Sequence, residues 1–115
     1  MIKRNADMQK EVRERMREGV GTVEILHVFR KEELRGKTRL FARLRIPVGS
    51  SIGYHEHQEE EEVFFIIAGR GTVNDNGVKT QVGPGDAVLT GGGTGHAIEN
   101  TGSEPLELMA VILPF

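Results

Sequence analysis

Between Arg39 and Ile46 the chain alternates strictly, with Leu40, Ala42, Leu44 and Ile46 on one side and Arg39, Arg43 and Arg45 on the other. Period-two alternation of this kind predicts a β-strand with one buried face, and Pro47 and Gly49 end it. A weaker alternation from Thr22 places Val23, Ile25, His27 and Phe29 on one face of an earlier strand. Further on, Asn76-Gly77 between strand-forming residues predicts a two-residue hairpin turn. Pro84-Gly85 predicts another turn, DAVLT and HAIEN short strands around the glycine loop GGGTG, and LELMAVILPF a final strand. The N-terminal segment is ambiguous. Met8, Val12 and Met16 recur at i, i+4 and i+8, which suits a short helix over residues 6–18, while the low apolar content suits an arm with a short strand. Eight to ten short strands separated by turns predict an all-β sandwich or barrel.

Two segments break the alternation. Residues 62–68 set Glu62, Phe64 and Ile66 against Val63, Phe65 and Ile67, and residues 106–113 are apolar on both faces as well. A strand with water on one side alternates, so something covers the outer face of these two. A second copy of the chain is the expected cover, making the protein a homodimer.

Composition narrows the picture. The 115 residues suffice for one domain. We expect residues 1–37 to form an arm and first strand or strands belonging to the same domain as a barrel over residues 38–115. No cysteine is present, which excludes a disulfide framework, a thiolate metal site or a thiol nucleophile. The N-terminal residues lack the apolar core of a signal peptide and no stretch reaches 18 apolar residues, so a cytoplasmic location is expected and a membrane is not. Net charge is −2, and the basic residues near the N-terminus are interleaved with Glu11, Glu14 and Glu18, which argues against nucleic-acid binding.

The candidate chemistry lies in GSSIGYHEHQEEEEVFFIIAG, Gly49 to Gly69. His55 and His57, two apart, share a strand face. Glu62, five past His57, falls on the wrong face of a continuous strand, so the strand must break near Gln58 and resume by Glu62. A third histidine, His96, follows the glycine loop, which permits close backbone approach. Glu59, Glu60 and Glu61 are expected in solvent at the barrel mouth, with Glu61 the competitor of Glu62. Tyr54 is expected to point away and pack, and Asn100 to shape the turn into Thr101-Gly102. The remaining histidine, His27, is a candidate for an acid–base role beside the site or for a satisfied core position.

At these residues the sequence resembles the cupin superfamily. The first cupin motif, G-x5-H-x-H-x(3,4)-E-x6-G, is matched by Gly49, His55, His57, Glu62 and Gly69. The second, G-x5-P-x-G-x2-H-x3-N, is matched by Gly85, Gly93, His96 and Asn100, with Gly91 at the proline position. The resemblance implies a jelly-roll barrel, a double-stranded β-helix, holding one divalent transition metal (manganese, iron, nickel, cobalt or zinc) on His55, His57, Glu62 and His96. It implies a metal-dependent enzyme of dioxygenase, decarboxylase or isomerase type acting on a small, oxygen-containing and anionic molecule. A cupin that binds a small ligand or metal without turnover is the alternative. Oxalate decarboxylases fit less well, because they carry two fused units and because the alternation sends Arg39, Arg43 and Arg45 away from the interior.

Overall fold

The computed structural model describes all 115 residues and contains ten strands and three single 3₁₀ turns, with no α-helix. The alternating segment is strand β3 (Leu40–Ile46), whose Ala42, Leu44 and Ile46 are buried. It is preceded by β1 (Gln9–Glu14) and β2 (Thr22–His27) and followed by β4 (Ser51–Glu56) and β5 (Glu60–Ala68). Then come β6 (Gly71–Asp75), β7 (Val78–Val82), β8 (Ala87–Gly91), β9 (Gly95–Glu99) and β10 (Leu106–Pro114). No helix is long and apolar enough to cross a membrane.

The strands form two antiparallel sheets, one of six in the order β1-β2-β3-β10-β5-β8 and one of four in the order β4-β9-β6-β7. Their inner faces meet over a core that includes Ile25, Leu44, Ile46, Phe64, Ile66 and Leu108 from the larger sheet. Ile52, Val73 and Ile98 enter from the smaller one. The double-sheet jelly roll expected from the sequence is the observed architecture, though the two sheets do not close into a continuous barrel. The β6–β7 hairpin turns on Asn76 and Gly77, whose φ values of 49° and 99° are both positive, as its two-residue turn requires.

Of the two readings left open for residues 6–18, the short helix is absent and the short strand is present. Residues 9–14 instead pair with β2, Glu11 opposite Ile25 and Arg13 opposite Val23. Four apolar residues in thirteen, one of them only an alanine, give a short helix little to bury, and such helices are marginal alone. A strand gains a ladder of backbone hydrogen bonds from β2, although its one apolar residue, Val12, stays 57% exposed. The chain breaks where the parity of Glu62 demanded. Strand β4 ends at Glu56 and β5 begins at Glu60, with Glu59 in a left-handed conformation between them (φ 54°). That break moves the chain from the four-stranded sheet to the six-stranded one. Residues close in sequence thereby face each other across the interior.

Candidate metal centre

Strands β4 and β9 lie side by side with His55 directly opposite His96, and His57 continues the inward alternation one step beyond β4. Glu62 reaches the same point from β5 on the facing sheet. His57, His96 and Glu62 are buried and His55 is half-buried. His96 Nε2 lies 3.1 Å from His55 Nε2, 3.2 Å from His57 Nε2 and 3.0 Å from Glu62 Oε1. His57 Nε2 is also 3.0 Å from Glu62 Oε1. The ligand atoms of all four residues fall within 4.8 Å of one another. Glu61, on the opposite face of β5, is not among them.

The outer ring nitrogens settle which atoms point inward. His55 Nδ1 donates to the Gly53 carbonyl at 2.7 Å and His57 Nδ1 donates to Glu60 Oε1 at 2.9 Å. Both rings therefore turn Nε2 to the centre, the arrangement by which neighbouring groups orient metal-binding histidines. His96 stacks on Phe64, centroids 4.7 Å apart, and its Nδ1 is buried without a partner. Burial, ahead of the charges of His96, His57 and Arg17, pushes the His55 imidazole down to about 4, so it is neutral at ordinary pH. Three imidazole nitrogens and a carboxylate oxygen thus converge on one point. Such a donor set calls for a cation. Donors about 2.1 Å from one ion sit about 3.0 Å apart at right angles and about 3.4 Å apart in a tetrahedron. The close contacts here are of that order, and three imidazoles with one carboxylate would suit a divalent transition metal.

Glu60 corrects the expectation that Glu59 to Glu61 are solvated. Its carboxylate accepts from Arg39 Nε at 2.8 Å and Nη2 at 2.9 Å as well as from His57. Arg39, ahead of His57, holds the Glu60 carboxyl down to about 2. The signal was present in the sequence: Glu60 shares strand parity with Glu62. Arg39 is a second correction. It precedes the regular part of β3, and its long side chain folds over the rim to line the cavity above the histidines, together with Arg13 and Arg17. The interior is therefore not without cations.

That cavity has a volume of about 140 Å³ and an otherwise apolar wall that includes Leu40, Leu44 and Phe64. His27 lines it too, with Nε2 donating to Glu11 Oε1 at 2.7 Å, and this contact, ahead of Arg13, holds the Glu11 carboxyl below its usual range. Tyr54 turns away and lays its ring over Gly95, where an added Cβ would stand 2.6 Å from the ring. Asn100 ties backbones together, donating to Ile46 O at 2.9 Å and Glu104 O at 2.8 Å while accepting from Gly102 N.

Comparison with known proteins agrees with this geometry. The chain is 42% identical over 113 residues to a Thermotoga maritima protein named oxalate-binding protein, covering 98% of this chain and 93% of that one. A crystal structure of a predicted oxalate decarboxylase from the same organism superposes with a TM-score of 0.95 over the whole of both chains, also at 42% identity. The cupin domain of Schizosaccharomyces pombe Cnp3 shares the fold, with a TM-score of 0.74 over 91% of this chain and 69% of that one, at 13% identity. A cupin-domain sequence profile matches residues 42–112, which hold all four inward-facing donors. This chain belongs to the cupin family.

Proposed function

We propose that this protein holds one divalent transition metal on His55, His57, Glu62 and His96 and, in the cavity above it, binds a small dicarboxylate of the oxalate kind. The observation that carries the reading is the convergence of three imidazoles and a carboxylate beside a small cavity that arginines help to line. The ion, when bound, supplies Lewis-acid attraction for carboxylate oxygens. The chain's own residues do the rest. Glu60 and the Gly53 carbonyl fix two imidazoles in the required tautomer, and Leu40, Leu44 and Phe64 limit water around the ligand. The name of the Thermotoga relative supplies the ligand class, and the cavity's size suits a molecule of a few atoms.

A second reading adds turnover, and the His27–Glu11 pair favours it. His27 is the one histidine of the cavity outside the donor set. Its Nε2 carries a proton held by a carboxylate, the placement expected of a general acid or base. Decarboxylation of oxalate breaks the carbon–carbon bond, releases carbon dioxide and adds one proton to the remaining carbon, giving formate. His27 is the proton carrier in that reading.

The test uses untagged protein. Elemental analysis is expected to find about one transition metal per chain, and calorimetry to find oxalate binding that chelation of the metal abolishes. Metal-loaded protein that gives no heat with oxalate overturns the ligand assignment. Formate release that disappears in His27→Gln, with oxalate affinity retained, selects the enzyme; binding without formate selects the receptor.

A further inference from the structure

The connection between β1 and β2, whose Met16 and Arg17 line the cavity, has a strained conformation. Arg15, Arg17 and Glu18 have φ values of 51°, 53° and 63°, a left-handed region that residues with a Cβ rarely adopt. The strap is held on both sides. Arg15 N donates to Gly21 O at 2.8 Å, Ser51 N to Val20 O at 2.8 Å, and Val20 N to Ser51 Oγ at 2.9 Å. Its backbone also presses against β4. A Cβ at Gly53 would stand 1.9 Å from the Arg17 carbonyl oxygen, and one at Gly19 would stand 2.3 Å from that of Ser51. Gly53 is the residue whose carbonyl anchors His55. The strap is thus built directly onto the strand that carries the donor set, and the Arg17 side chain lines the cavity with His55, His57 and Glu62.

The charges around that cavity do not balance. Arg13 is paired with Glu11 at 3.2 Å, and Arg39 with Glu60 at 2.8 Å. Arg17 forms neither an ion pair nor a side-chain hydrogen bond, the only cavity arginine so placed. Glu62 would offset one unit of a divalent ion's charge. The second unit and Arg17 remain. A monocarboxylate answers one of these two positive charges and a dicarboxylate answers both.

Resting on the dicarboxylate reading above, we infer that Arg17 determines specificity. Its guanidinium receives the carboxylate of the ligand that lies farther from the histidine cluster, and the site thereby selects small dicarboxylate dianions over monocarboxylates. Arginine suits the task, because its planar fork meets a carboxylate with two parallel hydrogen bonds. The strained backbone has a purpose on this account. It places a free arginine over the cavity from a segment outside the two cupin motifs.

The experiment compares wild type, Arg17→Gln and Arg17→Lys, each loaded with manganese and checked for metal content by elemental analysis and for melting temperature. Oxalate and acetate binding are measured by calorimetry. Wild type is expected to bind oxalate more tightly than acetate. Arg17→Gln is expected to lose about 10- to 100-fold in oxalate affinity, with acetate affinity, metal content and melting temperature unchanged. Arg17→Lys, which restores charge without the fork, is expected to recover part of the loss. Oxalate affinity within twofold of wild type in Arg17→Gln overturns the inference, as does an equal loss for both anions. Should Arg17→Gln melt early, Arg17→Lys decides: full oxalate selectivity without the fork, or none with the charge kept, overturns the assignment. Wild type that binds metal but neither anion overturns the dicarboxylate reading, and this inference with it.

Discussion

At the scale of single residues, the most informative side chain is Glu60, which is not one of the four inward donors. It fixes His57 by accepting its Nδ1 proton and is itself fixed by the two-pronged Arg39 contact. Removing its charge is expected to lower metal affinity by about 10- to 100-fold without changing the donor set. Competition with a chelating indicator on Glu60→Gln measures this, and an affinity within twofold of wild type contradicts the role. The four inward donors were legible in the sequence because two motifs fix their spacing, and because the parity of Glu62 required the break observed at residues 57–59. Glu60 was hidden in a run of four acids that looks like a solvated patch. Its alternation with Glu62 is the physical clue that separates it from Glu59 and Glu61. Arg17 offered no such clue. Its position over the cavity depends on left-handed backbone at three non-glycine residues, which no local preference favours.

At the scale of elements, the strands with one buried face were readable and the N-terminal segment was not. The alternation of β3 and the Asn76-Gly77 turn are local physics, and the structure follows them. Strand β1 is a strand because β2 pairs with it, a long-range fact that outweighs the helical spacing of Met8, Val12 and Met16. The chain before β1 is tied down by its own contact. Lys3 donates to Glu33 in the turn at Lys31–Glu33 and sits 5.4 Å over the Phe29 ring. Lys3, ahead of the Arg30 backbone amide, holds the Glu33 carboxyl down to about 2. A carboxyl with a folded-state value below its unfolded one stabilises the fold above about pH 4.5 and loses that contribution as pH falls through about 2. Glu33→Gln is therefore expected to be less stable than wild type at pH 7. The difference is expected to shrink steadily from pH 4.5 downward, because wild type alone loses the interaction. Denaturant unfolding of both proteins across this range measures it, and a pH-independent difference counts against the linkage. Glu60, depressed in the same range, is present in both proteins and cancels.

At the scale of the whole molecule, the outer face of the six-stranded sheet carries exposed apolar side chains in contiguous rows. Leu89, Val63, Val111 and Phe41 stand side by side across β8, β5, β10 and β3. Ala87, Phe65 and Met109 form a second row beside them. Phe65 is 48% exposed, Ile67 39% and Leu89 64%. Contiguous apolar rows of this kind mark an interaction surface. A second copy is the simplest occupant, since a face without charge at its centre can meet itself across a two-fold axis without like-charge repulsion. The charged pair Arg43–Glu107 sits at the edge of the rows, where a polar rim belongs. A stable contact needs about 800 Å² from each copy. The metal site faces the other side of the same sheet through Glu62 and Phe64, so pairing leaves the cavity mouth free. Size-exclusion chromatography with light scattering is expected to give twice the 12.7 kDa chain mass for wild type. The double substitution Phe65→Glu and Leu89→Glu puts carboxylates into the centre of the face and is expected to give the single-chain mass, with metal content retained. A wild-type mass of one chain removes the dimer. A dimer that survives the double substitution moves the interface elsewhere, and the apolar rows then need another partner to explain them.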